Sequence, residues 1–178
     1  GFIYALMPSV LLYNELLLAD RDKLIALIKK FKDGKSLHPA ERRWLDQTKV
    51  FYKFEGNDLP ALLQKMDIIP PSLALAQAAI ESAWGRSRFA QRGNALFGQW
   101  TWGNDGIIPK GRPFGETYRV KSFQSPLHSI AAYARNLNTH PSYEDFRNLR
   151  AEQREQNAFN SLTLADTLIN YSTRREEY

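Results

Sequence analysis

Between Pro70 and Trp102 the chain reads PPSLALAQAAIESAWGRSRFAQRGNALFGQWTW: two prolines, an alanine-rich run, a glycine, then a loop dense in aromatic residues. Pro70 and Pro71 suit a first helical turn, whose amide hydrogens lack intrahelical partners anyway, and Ser72 is placed to help cap it. Leu73, Ala76, Ile80 and Ala83 follow the spacing of one helix face packed against a core. Gly85 is the expected stop, because the position after a helix often requires the left-handed conformation that glycine adopts without steric cost. A second stripe carries Gln77, Glu81 and Trp84, one acid among amide and aromatic groups.

Glu81 therefore falls in the last helical turn, where the partial negative charge of unpaired carbonyls opposes an ionised carboxylate. Desolvation by Ile80 and Trp84 acts in the same direction. The expectation is a raised pKa, and a carboxyl held protonated near neutral pH is what a glycosidase uses to protonate a leaving-group oxygen. The plain alternative is a solvated glutamate on a helix surface.

The segment AQAAIESAWGRSRFA followed by GNALFGQW resembles the signature of the bacterial peptidoglycan glucosaminidases, glycoside hydrolase family 73. From about Pro8 onward the chain is most similar to the Bax-type members of that group. Several matching segments in one order are more specific than the Glu-Ser pair, which lysozyme-like lytic transglycosylases share. The resemblance implies a lysozyme-like plan, glycan strands of peptidoglycan as substrate and partner, and a place in the periplasm or cell envelope. It also implies a β-lobe glutamate, which Glu116 matches. The ending Tyr171-Ser172-Thr173-Arg174-Arg175-Glu176-Glu177-Tyr178 is similar to the family's terminal Tyr-Ala-Thr-Asp-Pro-x-Tyr, which makes Tyr178 a candidate catalytic residue. The Asp-Pro is absent here and the spacing is one residue longer.

A chain of 178 residues is expected to form one domain and to hide about 70% of the surface its unfolded form exposes, without help from metal or disulfide. With no cysteine, a disulfide framework and a thiol nucleophile are both excluded, but the redox compartment stays open. A net charge of +5 from 24 basic and 19 acidic residues, spread without a long tract, fits attraction to a polyanionic surface. Residues 1–18 are apolar, yet Pro8, Asn14 and Glu15 interrupt them and no basic segment precedes them. They read as a core helix with no stable membrane insertion, any export signal lying upstream of this fragment.

Along the chain, Ser9 to Lys32 is helical, marked by Leu12, Leu16, Leu24, Leu27, Ile28 and Phe31, with Asp20 a possible cap between two helices. Ser36 to Glu41 starts another, with Trp44, Leu45 and Val50 on its apolar face. Asp58 is placed to cap a short helix, Leu59 to Lys65. Beyond Trp102, glycine-rich turns separate Ile107-Ile108 from Thr117 to Phe123, a small antiparallel hairpin. Ser125-Pro126 opens a helix over Leu127 to Leu137, with Ile130, Tyr133, Ala134 and Leu137 on one face. A polar helix over Tyr143 to Arg154 and a last one over Ser161 to Ile169, capped by Ser161 or Thr163, complete the reading. The expected architecture is mainly α, a helical lysozyme-like domain with a small antiparallel β-lobe. It divides into an N-terminal helical segment (1–66), the catalytic helix and aromatic loop (67–102), the β-lobe (103–123) and the C-terminal helices (124–178).

Most glycosidases need a second carboxyl group. Glu116 is the first choice, beside a glycine turn in the β-lobe, with Asp105 a weaker rival. Glu116 as an edge-strand acid that discourages aggregation is the alternative. If neither reaches the sugar, the substrate's own N-acetyl group can serve as nucleophile. Trp100 and Trp102, separated by one residue, suit a platform for sugar rings, and Trp84 and Phe97 serve either that cleft or the core. Gln77, Gln99 and Asn94 are candidate partners for sugar hydroxyls, and Tyr143 either reaches the cleft or packs. Ser82 reads as a hydrogen-bonding helix residue rather than a nucleophile. His38, His128 and His140 lack metal-ligand spacing, and no phosphate loop or nucleophile elbow occurs, so no metal or cofactor is expected.

The leading expectation is a monomeric peptidoglycan hydrolase cutting after N-acetylglucosamine. A lytic transglycosylase and a wall-binding module without turnover are the alternatives. Nucleic acid is not expected as a partner, because the basic residues do not interleave with the tryptophans.

Overall fold

A computed structural model describes residues 1–168. Eight α-helices and one three-stranded antiparallel sheet make it up, the mainly helical, lysozyme-like plan with a small β-lobe. The described residues divide into two compact units, one holding Gly1–Tyr13, Ile69–Ala134 and residues 160–168, the other Asn14–Ile68 and Arg135–Phe159.

Helix α1 (Phe2–Lys32) runs without a break through Asp20. The reason is its stripe of buried residues, Leu6, Val10, Asn14, Leu17, Leu24 and Leu27, which keeps one register along the whole helix. A cap at Asp20 would interrupt that stripe. Of the expected apolar marks, Leu12 and Leu16 face outward and Leu17 takes the inner position. By length and composition α1 could cross a membrane: its most apolar 18-residue window has a mean hydropathy of 1.5 and is 22% buried.

The second unit is helical throughout. Helix α2 (Pro39–Phe51) starts with a capping box in which His38 Nδ1 accepts from the Ala40 amide and Glu41 accepts from the His38 amide. Lys30 donates to the same glutamate and holds its carboxyl below the usual range. Helix α3 (Leu59–Lys65) is capped by Asp58 as expected. Leu24, Leu27, Leu37, Leu45, Tyr52, Leu59, Leu62 and Met66 form one core, with Trp44 packed against it and Val50 exposed.

Helix α7 (Glu144–Glu155) follows a short 3-10 turn at Pro141–Tyr143. It is polar in composition yet buries Phe146, Arg147, Arg150 and Gln153. Arg150, fully buried, donates to the carbonyls of Gln64, Asp67 and Ile68 and to Asn138 Oδ1. Burial pulls its guanidinium down to about 10, and nearby Asp67 opposes the shift, so it stays charged at neutral pH. The Asp67 carboxylate itself is buried and paired with Arg154, with Arg21 at 3.8 Å.

In the first unit, helix α4 (Pro71–Glu81) buries Leu73, Ala74, Leu75, Ala78 and Ala79, leaving Ala76 and Ile80 outside. Its N-cap is Pro70, without a side-chain bond, and the expected cap Ser72 pairs with Ser161 at 2.5 Å. Helix α5 (Arg88–Gly93) is an addition to the expected elements, with Ser87 capping its start and Asn94, at φ 50°, its end. The sheet has three very short strands, β1 (Trp100–Thr101), β2 (Gly106–Ile107) and β3 (Arg119–Lys121), in the order β1-β3-β2. The β-lobe therefore begins inside the aromatic loop, and the expected hairpin is only its second half.

Gly93 lets α5 approach the sheet, since a Cβ there would lie 2.6 Å from Ser122 Oγ. Helix α6 (Pro126–Thr139) buries Ile130, Tyr133, Ala134 and Leu137, the expected face. Helix α8 (Ser161–Asp166) packs beside α4 and is capped by Asn160, which accepts from the Leu162 and Thr163 amides, so neither Ser161 nor Thr163 is the cap.

Candidate active site

Helix α4 stops at Glu81, short of the glycine that marks the expected end. Ser82 is the C-cap and Ala83, at φ 52°, takes the left-handed position that glycine usually fills. The Trp84 amide donates to Ala79 O at 2.7 Å and the Ala83 amide to Ile80 O at 3.3 Å, the paired bonds of a Schellman stop. Trp84 and Gly85 continue in left-handed conformation, at φ 58° and 72°. For residues with a Cβ this conformation costs about 1–2 kcal/mol each, so the turn is held by what surrounds it.

Glu81 thus projects from the very end of the helix into a pocket of about 150 Å³ lined by Ser87, Phe89, Ala95, Gly98, Trp100 and Val120. Its neighbours come from α4, α5, the loop after α5, and the sheet. Trp100 and Val120 are directly paired across β1 and β3, which puts both side chains on the same sheet face. Trp100 is stacked on Tyr118, ring centres 4.2 Å apart and planes within 8°. A Cβ on Gly98 would lie 3.2 Å from Glu81 Oε2, and Gly98 sits at φ 64°. Space and backbone conformation both favour glycine there.

Among the lining residues Glu81 is the sole acid, and aromatic and aliphatic groups surround it. A carboxyl group in such a wall is suited to proton transfer onto a bound oxygen. A larger hollow of about 400 Å³ lies in the other unit, among Ile28, Phe31, Leu45, Leu59 and Pro60. Its acid, Asp58, is already the cap of α3.

The remaining candidates are distributed as follows. Gln77 and Gln99 are partly exposed, and each holds a buried carbonyl oxygen with no hydrogen-bond partner among the described residues. Trp84 is 56% exposed and meets Phe2 edge-on at 6.2 Å. Trp102, past the end of β1, is 53% exposed and outside the pocket lining. Phe97 is buried and stacked on Tyr133 at 4.0 Å. Asn94 donates its side-chain amide to Phe123 O, tying the end of α5 to the chain after β3. Tyr143 is buried in the second unit.

Glu116 is exposed, after a tight turn in which its amide donates to Pro113 O, and it does not line the pocket. Asp105 is exposed as well; the Thr101 hydroxyl, donating at 2.8 Å, holds its carboxyl below the usual range, with Lys121 adding to the effect. Ser82 is buried and hydrogen-bonded, as expected of a helix residue. Tyr178 lies outside the described residues. Gly98, Phe89, Ser87, Tyr118 and Val120 escaped sequence reasoning. The available signals were a glycine inside an aromatic run for Gly98, and a serine placed to cap a helix for Ser87.

The profile of the glucosaminidase family, described as mannosyl-glycoprotein endo-beta-N-acetylglucosaminidase, matches residues 57–174. Protein bax of Escherichia coli (strain K12) is 36% identical over 188 aligned residues, which take in all of this chain and 65% of that protein. The chain thus spans less than two thirds of the length of the relative it matches. No solved structure matches.

Proposed function

Because the chain belongs to the glucosaminidase family, we propose that it cleaves the glycan strand of peptidoglycan at N-acetylglucosaminyl bonds, with Glu81 as the proton donor. The observation that carries this reading is the Glu81 carboxyl at the end of α4, set against Gly98 in a pocket walled by Trp100 and Val120. An aromatic wall suits the apolar face of a sugar ring, and the carboxyl suits its glycosidic oxygen. Gln77 and Gln99 are kept as candidate partners for an acetamide N–H or a sugar hydroxyl: neither lines the pocket, but each holds a buried acceptor without a donor among the described residues, and reaching it requires the side chain to turn. A peptidoglycan substrate supports a place in the periplasm or cell envelope. We read α1 as a helix of the folded chain rather than a membrane span, on the strength of its buried stripe.

Digestion of purified peptidoglycan with mass analysis of the new ends tests the function. Reducing N-acetylglucosamine ends are expected. Anhydro-sugar ends would make the protein a lytic transglycosylase, and retained binding without cleavage would make it a wall-binding module. One observation favours the transglycosylase as the second reading: the pocket lining holds a single carboxyl group, and such an enzyme needs one residue acting first as acid and then as base.

Glu116 is the proposed second carboxylate of a hydrolase. Replacing it by glutamine should lower turnover by about tenfold, less than loss of a general acid, with no change in thermal stability since the side chain is exposed. Full activity in Glu116→Gln would point to substrate assistance or to the transglycosylase route.

The tryptophans should separate by role. Trp102→Ala removes an exposed ring and is expected to weaken binding of N-acetylglucosamine oligomers by about tenfold, equivalent to about 1.4 kcal/mol, while the melting temperature stays put. Trp100→Ala removes the Tyr118 stack and a pocket wall, so it should lower both affinity and stability. Unchanged affinity in both variants, measured by calorimetry, would eliminate the sugar platform.

A further inference from the structure

A helix that could continue through Ala83 and Trp84 instead reverses at Ser82, and Ser82 supplies the means. Its hydroxyl, fully buried, donates to Ala78 O at 2.6 Å and accepts from the Gly85 amide at 2.8 Å. In a continued helix the Gly85 amide would donate to Glu81 O; here it is captured one residue further on, by a side chain. The Ser87 amide donates back to Ser82 O at 3.0 Å and the Arg86 amide to Ala83 O at 3.1 Å, which closes the turn on itself. Phe2 packs where a Cβ on Gly85 would sit, at 2.8 Å, so the turn is also gripped from outside.

The turn has one plain alternative, continuation of the helix. The continued helix suits the backbone preferences of Ala83 and Trp84, both of which carry a Cβ that disfavours the left-handed region. The left-handed turn is compensated by the Ser82 bonds. The choice matters at the site, because the chain leaving the turn goes straight into Ser87 and Phe89, which line the pocket beside Glu81. A continued helix would redirect them and turn Glu81 from a helix-end residue into one on a helix flank.

We propose that Ser82 is the positioning residue of this site: its hydroxyl locks the left-handed turn Ala83–Gly85, ends α4 at Glu81, and so sets the carboxyl against Gly98. The inference rests on the reading of Glu81 as proton donor for its effect on rate, and on the geometry alone for its effect on the turn.

The experiment compares the protein with Ser82→Ala and Ser82→Thr, the latter keeping the hydroxyl. In Ser82→Ala, exchange of the Gly85 amide should accelerate and kcat fall about 10²-fold, the order that a small misplacement of a reacting group costs, with KM within about twofold. Ser82→Thr should recover most of the rate. A carboxyl carbon resonance for Glu81, read in protein labelled at glutamate, should move in Ser82→Ala even if the protein cleaves no glycan, so failure of the turn is distinguishable from failure of the proposed function. Unaltered Gly85 exchange, an unmoved Glu81 resonance, or wild-type kcat in Ser82→Ala each overturns the proposal. If Ser82→Ala does not fold, Ser82→Cys, of similar shape with a weaker donor and acceptor, carries the same comparison, with a smaller loss expected and the same overturning results.

Discussion

Glu81→Gln should lower the rate of glycan cleavage by about 10² to 10⁴-fold, the usual worth of a general acid. Glutamine keeps the shape and the hydrogen-bonding reach of the side chain but has no proton to give at this acidity. The contact with Gly98 is preserved, since the two side chains are isosteric. Stability should stay level or rise, because Glu81 is the last residue of α4 and a negative charge there opposes the helix dipole by about 0.3–1 kcal/mol. Peptidoglycan digestion and thermal melting read the two effects. A glutamine variant that turns over normally would remove Glu81 from the chemistry, and with it the enzyme reading built on this pocket.

Asp67→Ala should destabilise the second unit by about 3–5 kcal/mol, the usual cost of breaking a buried ion pair from one side. The carboxylate is the counter-charge of Arg154, with Arg21 at 3.8 Å, and its side chain is 3% exposed. Arg150 remains buried nearby with its four acceptors and loses the charge that offsets its desolvation. Arg150→Met should cost a similar amount by the opposite route, leaving the carbonyls of Gln64, Asp67 and Ile68 without their donor, at about 1–3 kcal/mol for each that water does not reach. The double variant should lose less than the sum of the singles, because the two deletions remove charges of opposite sign. Denaturant unfolding measures all three. A loss below about 1 kcal/mol for either single variant would mean that water enters and replaces the lost partner.

Sequence reading succeeded where structure is decided locally. Asp58 ahead of a short apolar run predicts α3 and its cap, and the spacing of Ile130, Tyr133, Ala134 and Leu137 predicts the buried face of α6. It went astray where a distant partner decides. Arg150 lies 83 residues from Asp67, so nothing in the polar run around it signals burial. Asp20 looks like a cap until Leu17, Leu24 and Leu27 are found on one buried stripe.

Glu81 stands out in the sequence by its place in the last turn of α4, but the apolar wall expected from Ile80 and Trp84 is not what surrounds it: both are exposed and neither lines the pocket. Glycine is the usual left-handed residue, so the sequence points to Gly85 as the stop of α4, and the side-chain bonds that allow Ala83 to take that place cannot be read from composition. Gly98 is marked only as a glycine inside an aromatic run, which does not tell that it lies against Glu81. Both are products of the chain folding back on itself.

The sheet that forms one wall of the pocket has two strands of two residues and one of three. So few ladder bonds give little cooperativity, and opening such a patch costs far less free energy than unfolding a helix core. Trp100 and Val120 therefore sit on a sheet with few ladder bonds to hold it, while Glu81 is anchored to α4. Opening of this wall would leave the helices, and with them the Glu81 carboxyl, in place.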